Sequence, residues 1–85
     1  SPREIENVLY KLPAVREAAV IGVPDPVMGQ SIKAFVAISD PSMTEADILR
    51  HCRIHLEDLL MPRQVVILPG LPKTDSGKIS KKDLT

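Results

Sequence analysis

The segment LPKTDSGKIS, residues 71–80, carries the strongest structural pattern in this sequence. Pro72 fixes its own φ angle and lacks an N–H group, so a central strand cannot continue through it. Turn-forming residues follow, and Gly77 among them can adopt a left-handed conformation. The pattern predicts a tight turn with Lys78 at or just after its tip and with Ile79 directed back towards a core. A lysine in that position offers a compact positive charge that suits a phosphate or a carboxylate.

Two other interpretations of this segment are a phosphate-binding loop and an exposed turn without function. The Gly77-Lys78 pair resembles the end of a phosphate-binding loop, but the spacing contradicts that interpretation. The first glycine of such a loop would stand at Pro72, and Ile79 occupies the position of the serine or threonine that binds magnesium. The simplest alternative is an exposed hairpin tip without function, which is the usual role of an isolated lysine beside a turn. From the residues alone, a functional lysine and an exposed turn both stay open.

The composition indicates one small domain, residues 1–85, and argues against several classes of partner. Basic and acidic residues number 11 each, so the net charge is zero, and aromatic residues make up 2% of the chain. A nucleic-acid partner would need a basic surface and aromatic stacking, and a membrane surface would need a basic patch. No apolar run approaches the roughly 18 residues of a membrane span. Cys52 has no second cysteine to pair with, which favours a reducing compartment or a plain buried thiol, and we expect a cytoplasmic protein.

Hydrophobic periodicity and turn residues predict an α+β domain with the element order α-β-β-α-β-α. We expect a small, largely antiparallel three-stranded sheet plus the lysine hairpin, with helices packed on one face of the sheet. The first two strands would pair antiparallel across the Pro24–Pro26 loop, and the second strand would be central because it is apolar on both faces. The predicted strands cover residues 15–23, 31–39 and 63–68, and the predicted helices cover residues 2–12 and 45–58, with a short helix after Ser80.

Local signals mark the ends and irregularities of these elements. Sequences of the capping-box type begin each predicted helix, at residues 1–4, 44–47 and 80–83. Gly22 interrupts the first strand and indicates a bulge or a close backbone approach.

The second predicted helix carries two histidines and the single cysteine. His51 and His55 are four residues apart, a spacing that could hold a metal ion. No acidic or cysteine ligand completes such a set, and both histidines lie off the apolar stripe, so we predict exposed side chains and no metal site. Cys52 lies on the stripe and is interpreted as a small core residue.

Further motifs accompany the hairpin in order along the chain: SP-x-EIE at 1–6, V-x-G-x-PD-x-x-x-G at 20–29, AFV at 34–36, L-x-P at 60–62 and LPKT-x-SGKI at 71–79. Together they resemble the C-terminal domain of the adenylate-forming acyl- and aryl-CoA synthetases. The resemblance covers nearly the whole chain. Gln30 departs from the family, which usually has glutamate there, and we expect this change to affect local hydrogen bonding and not the chemistry.

The resemblance implies that Lys78 is the catalytic lysine of acyl-adenylate formation. It also implies that the loop around this lysine is supported by Thr74, Ser76 and Gly77. Arg53 resembles a helix arginine that meets the nucleotide of CoA in some family members. The implied substrates are ATP with Mg²⁺, CoA and a carboxylic acid, with their pockets on a large N-terminal domain. This chain would then be a mobile lid that rotates between two half-reactions and is inactive alone.

Other functions with the same fold stay open. The start of the chain at Ser1 favours a fragment of a longer enzyme, but a free-standing interaction or regulatory module, or a complementing subunit, is an alternative. Another is the lid of a peptide synthetase adenylation domain. Ser76 before the Gly77-Lys78 pair favours the acid–CoA ligases, because the peptide synthetases more often have asparagine before this pair.

Overall fold

The computed structural model describes residues 1–85 and contains two helices, three strands and two short 3-10 turns. Along the chain these are α1 (Pro2–Tyr10), β1 (Val15–Asp25), β2 (Gly29–Ile38), α2 (Glu45–His55) and β3 (Gln64–Ile67), with 3-10 turns at Asp58–Leu60 and Lys81–Asp83. The predicted α+β class is confirmed, although the last predicted helix is only a 3-10 turn. None of the helices is both long and apolar enough to cross a membrane.

β2 lies in the centre of the sheet, between β1 and β3, as its apolar sequence predicts. β1 and β2 pair antiparallel, with Val20 opposite Ala34 and Asp25 opposite Gly29. β3 runs parallel to β2, with Val65 opposite Ala34. Because α2 lies between β2 and β3 in the chain, it provides the crossover that a parallel pair requires. The sheet is therefore mixed: its long pairing is antiparallel, as predicted, and its short pairing is parallel.

Both helices are shorter than their hydrophobic patterns predict. α1 ends at Tyr10 instead of residue 12. α2 ends at His55 instead of residue 58, because Leu56 takes an extended conformation with φ −122° and ψ 146°. The capping box before α2 is confirmed: Asp47 N donates to Thr44 Oγ1 at 3.2 Å, and Thr44 N donates to Asp47 Oδ2 at 2.9 Å.

The other two predicted capping boxes differ from the expected geometry. The side chain of Ser1 forms no capping hydrogen bond. Its backbone carbonyl instead accepts hydrogen bonds from Glu4 N at 3.1 Å and Ile5 N at 3.4 Å. At the C-terminal 3-10 turn, Ser80 Oγ donates to Asp83 Oδ2 at 2.7 Å, so the two side chains bond to each other and not to the backbone.

The two helices cover one face of the sheet, as predicted. Their apolar stripes bring Leu9 of α1 together with Ile48 and Cys52 of α2, and these side chains pack on Val36 of the central strand. Cys52 is 0% exposed, which confirms its assignment as a core residue. Burial in this apolar cluster raises the pKa of its thiol, and a raised pKa makes a reactive thiolate scarce.

The opposite face of the sheet is covered by the segment that follows β3. Ala19 and Phe35 point to this face and pack with Leu71 and Leu84, and Ile79 joins them as predicted. Because successive side chains in a strand point to opposite faces, β1 and β2 can contribute to both cores. The domain therefore has three layers: the helices, the sheet and the hairpin segment. The sequence prediction covered one face of the sheet only and missed the third layer.

Of the two alternatives predicted at Gly22, a bulge and a close approach to the backbone, the structure shows the close approach. The register shift lies between Val15 and Glu17, near the start of the strand. At Gly22 the chain instead makes a close approach: a Cβ built there would lie 2.6 Å from Nε2 of Gln30. The glycine therefore makes room for a side chain of the neighbouring strand.

Candidate functional site

Residues 71–80 form a hydrogen-bonded hairpin, here called the lysine hairpin. Ser80 N donates to Pro72 O at 2.8 Å near the base, and Thr74 N donates to Lys78 O at 2.7 Å below the tip. These bonds close the turn that the sequence predicts. They place Lys78 directly after the tip, on the returning arm.

The tip of the hairpin is stabilised by its own side chains. Gly77 has φ +89°, a conformation that favours glycine, and its N–H donates to Thr74 O at 2.9 Å. Thr74 Oγ1 accepts a hydrogen bond from Lys78 N at 3.2 Å and also lies 3.0 Å from Ser76 Oγ. The structure thus brings the three predicted loop residues together around the backbone of Lys78.

The side chain of Lys78 is exposed and its Nζ forms no hydrogen bond or salt bridge. By contrast, the Nζ atoms of Lys33, Lys73 and Lys81 each have a partner. Lys82 is exposed as well, but it lies in the C-terminal 3-10 turn outside the hairpin. Lys78 therefore combines a fixed backbone with a positive charge that is available to another surface.

Glu17 of β1 anchors the entry of the hairpin and was not among the predicted site residues. Its Oε1 accepts a hydrogen bond from Leu71 N at 3.1 Å, and its Oε2 forms a salt bridge with Lys73. Lys73 Nζ also donates to Leu71 O at 3.0 Å, which closes the group. The Lys73 ammonium and the Leu71 N–H hold the pKa of Glu17 below its ordinary value. Leu71 is 54 residues away in the chain, so no local pattern could reveal this contact.

Arg53, the residue expected to meet CoA, lies on the opposite side of the sheet from the hairpin. It is exposed on α2, on the helix side of the sheet, and forms no hydrogen bond or salt bridge. Its neighbour Arg50 pairs with Asp47 at 3.2 Å. The structure therefore places Lys78 and Arg53 in opposite outer layers and does not bring them into one site.

The histidine pair shows one departure from prediction. His51 is half-buried instead of exposed, because its Nε2 lies 2.7 Å from the carbonyl oxygen of Val8 in α1. His55 is exposed, and its ring centroid lies 4.6 Å from that of His51. No group of three or more His, Cys, Asp or Glu residues in the chain could hold a metal ion. The His, Cys, Asp and Glu side chains of this domain therefore do not fit a resident Mg²⁺ site.

The surface has two open grooves, of about 290 and 300 Å³. Both are lined by residues outside the lysine hairpin, and they share Gln30 and Ile32 of β2. Neither groove is therefore a pocket for a ligand of Lys78.

Comparison with known proteins decides the family. Residues 4–78 match the family described as the AMP-binding enzyme C-terminal domain. The chain belongs to this family. It is 46% identical over 83 residues to the probable acyl-activating enzyme 4 of Arabidopsis thaliana and 40% identical over 83 residues to the long-chain-fatty-acid–CoA ligase of Escherichia coli. These alignments cover 95% and 98% of this AMP-binding enzyme C-terminal domain but only 15% of each relative, so the chain spans about 15% of their length.

The structural comparison agrees with the family. The crystal structure of ATP-bound MatB from Rhodopseudomonas palustris superposes with a TM-score of 0.91 at 33% identity, covering 98% of this chain and 17% of that one. The predicted resemblance to the C-terminal domain of adenylate-forming enzymes is thus confirmed along the whole chain.

Proposed function

We propose that this chain is the C-terminal domain of an ATP-dependent acid–CoA ligase and that it supplies Lys78 to the adenylation step. The observation that carries the proposal is the free ammonium group of Lys78 on a hairpin whose backbone is fixed by hydrogen bonds. The relatives named as an acyl-activating enzyme and a fatty-acid–CoA ligase support the reaction class. These two relatives favour the domain of an acid–CoA ligase over the lid of a peptide synthetase adenylation domain.

The adenylation step needs a cation in this place. A carboxylate oxygen attacks the α-phosphorus of ATP, and the bond from that phosphorus to the bridging oxygen breaks as pyrophosphate leaves. Two anions must approach each other, and negative charge builds up on the oxygens around phosphorus. A positive charge held at that point stabilises the transition state more than the ground state. We assign this role to Lys78, with Thr74, Ser76 and Gly77 holding the hairpin that carries it.

The rest of the site would belong to a large N-terminal domain. The chain spans about 15% of the length of its relatives, which leaves room in such proteins for pockets that bind ATP and the acid. Mg²⁺ would reach the site with the nucleotide, since no cluster of this chain could hold it. We therefore predict that residues 1–85 are inactive alone.

We also propose that the domain rotates after adenylation. Rotation would withdraw Lys78 and turn a different face towards the active site. The sulfur of CoA would then attack the acyl carbonyl carbon, AMP would leave, and the thiol proton would pass to solvent. Arg53 would bind the nucleotide part of CoA in this second state. The positions of Lys78 and Arg53 in opposite layers support this division of labour.

The assignment of Lys78 is tested by Lys78→Ala in the full-length enzyme. Formation of the acyl-adenylate should fall about 100-fold or more, because a transition-state charge contact is lost. Thioester formation from a supplied acyl-adenylate should be retained. Lys82→Ala is the matched control, since Lys82 is also exposed but lies outside the hairpin. Adenylate formation by Lys78→Ala at nearly the wild-type rate would show that the assignment is wrong.

The size of the native polypeptide separates this function from the free-standing alternative. An antibody against the domain should detect a protein several times larger than this 9.3 kDa chain if it is part of a ligase. A band at 9.3 kDa would instead favour an interaction module or a complementing subunit. The cytoplasmic localisation stays a prediction, and fractionation of the source cells with the same antibody would test it.

A further inference from the structure

We propose that Glu17 is a positioning residue for Lys78: by holding Leu71 and Lys73 at the base of the lysine hairpin, it sets the orientation that adenylation requires. This inference rests on the proposed role of Lys78 in adenylation. Glu17 itself would touch no substrate.

Glu17 is the only residue outside the hairpin whose side chain hydrogen-bonds to residues 71–79. Its two carboxylate oxygens have separate partners: Oε1 accepts from Leu71 N at 3.1 Å, and Oε2 pairs with Lys73. The other attachments of this segment to the sheet are apolar contacts, among them those of Leu71 and Ile79. Apolar contacts determine how closely the hairpin packs against the sheet but define its orientation only weakly. A polar contact at two points, in contrast, fixes the orientation of the hairpin.

Only a few bonds separate the contact between Glu17 and Lys73 from Lys78. Lys73 forms the antiparallel bridge with Ile79, the residue directly after Lys78. Lys73 also directly precedes Thr74, whose amide and hydroxyl groups bond to the backbone of Lys78 at 2.7 and 3.2 Å. A shift of Lys73 would therefore move both arms of the hairpin.

The salt bridge also separates the roles of the two hairpin lysines. Lys73 is engaged by Glu17 and by Leu71 O, so its ammonium group is occupied. Lys78 is then the only lysine of the hairpin with a free ammonium group.

The test uses Glu17→Gln in the full-length enzyme. Glutamine can still accept the hydrogen bond from Leu71 N, so the change removes mainly the charge that pairs with Lys73. We expect single-turnover adenylation to slow roughly two- to fivefold, the factor that corresponds to loss of a partly exposed ion pair. Thioester formation from supplied acyl-adenylate should keep its wild-type rate, because Lys78 is withdrawn in that step.

Variants of Lys73 give a second, independent measurement. Lys73→Arg keeps the charge pair and should keep the adenylation rate, whereas Lys73→Met should reproduce the loss seen with Glu17→Gln. The double variant Glu17→Gln/Lys73→Met should be no slower than either single variant, because both remove the same contact. This set remains informative if one variant folds poorly.

Glu6→Gln is the matched control. Glu6 Oε2 accepts from Val20 N at 2.9 Å and pairs with Lys81 at 2.7 Å, so it has the same kinds of partner as Glu17 but anchors the C-terminal 3-10 turn. We expect Glu6→Gln to shift the melting temperature about as much as Glu17→Gln does and to leave adenylation unchanged.

The outcomes separate this inference from the function on which it rests. Wild-type adenylation by Glu17→Gln, in an enzyme that Lys78→Ala inactivates, overturns the positioning role and leaves the role of Lys78 standing. Equal losses in both half-reactions also overturn it, since they indicate general destabilisation. Normal adenylation by Lys78→Ala overturns both proposals together.

Discussion

Two hydrogen bonds join Thr74 and Lys78. Thr74 N donates to Lys78 O at 2.7 Å, and Thr74 Oγ1 accepts from Lys78 N at 3.2 Å. The threonine side chain thus takes the place of a backbone acceptor and satisfies the amide of the residue that carries the free charge. The orientation of Lys78 at its Cα is therefore fixed while its side chain stays free to reach a ligand.

The first prediction concerns this hydroxyl group. Thr74→Val keeps the shape of the side chain but removes the acceptor for Lys78 N and the contact with Ser76. Loss of a hydrogen bond worth about 1 kcal/mol should slow adenylation in the full-length enzyme roughly fivefold. Thr74→Ser keeps the hydroxyl group and should stay within about twofold of wild type on the same scale. Equal rates for the serine and valine variants would show that the hydroxyl group does not matter.

A second prediction uses the two glycines near the hairpin. Gly77 has φ +89°, so Gly77→Ala would force alanine into the left-handed region and should cost the isolated chain roughly 1–2 kcal/mol. Gly70 has no positive φ, and a Cβ there would lie 3.9 Å from Glu17 Oε1, an ordinary contact. Gly70→Ala should therefore change stability by less than about 0.5 kcal/mol. Urea denaturation of both variants measures the difference, and similar losses for the two would contradict the conformational argument.

The sequence predicted those parts of the structure that depend on neighbouring residues. Turn residues and proline positions located the lysine hairpin, and the apolar stripe placed Cys52 in the core. The same kind of signal found the capping box at Thr44, where donor and acceptor are three residues apart, but it also predicted capping boxes at Ser1 and Ser80 that do not form.

What the sequence did not reveal depends on contacts between distant segments. The salt bridge of Glu17 with Lys73 and the hydrogen bond of His51 Nε2 with Val8 O join residues far apart in the chain. The second core was missed for a similar reason, because an isolated Leu84 shows no periodicity that would predict its packing on Phe35. Tertiary contacts of this kind become visible only when the layers are assembled.

The third prediction is a pH dependence that involves the capping box of α2. Hydrogen bonds from the Thr44 backbone and side chain hold the pKa of Asp47 below its ordinary value of 3.8. A carboxyl group with a lowered pKa in the folded state stabilises that state above its unfolded pKa, and this contribution is lost as the pH falls through the folded value. Asp47→Asn should therefore lower the urea midpoint of the chain at pH 7, and the difference from wild type should shrink as the pH falls below 3.8 and through the lower pKa of the folded state.

Glu45→Gln is the control for this experiment. Glu45 lies in the same first turn of α2 but makes no capping hydrogen bond. Its substitution should lower the urea midpoint at pH 7 less than Asp47→Asn does, because it removes a charge from the helix N-terminus but no capping hydrogen bond. A difference between wild type and Asp47→Asn that stays constant as the pH is lowered well below 3.8 would show that the charge of Asp47 is not the cause.

The last prediction separates the two outer layers of the domain by function. Arg53 is exposed and unpaired on the helix side of the sheet, whereas Lys78 lies on the hairpin side. A guanidinium group can bind a phosphate through two parallel hydrogen bonds, so Arg53→Ala in the full-length enzyme should raise the KM for CoA about tenfold. Adenylation should be unchanged, because Arg53 would face away from the active site during that step.

Arg50→Ala provides the comparison for Arg53→Ala. Arg50 lies on the same helix but is paired with Asp47 at 3.2 Å, so its charge is already partly neutralised and its loss should change the KM for CoA little. Equal effects of the two substitutions would indicate a general effect of positive charge on this face. If Arg53→Ala instead slowed adenylation, both layers would have to act in the same step. The proposed rotation between two working faces would then be wrong, even if Lys78 were essential.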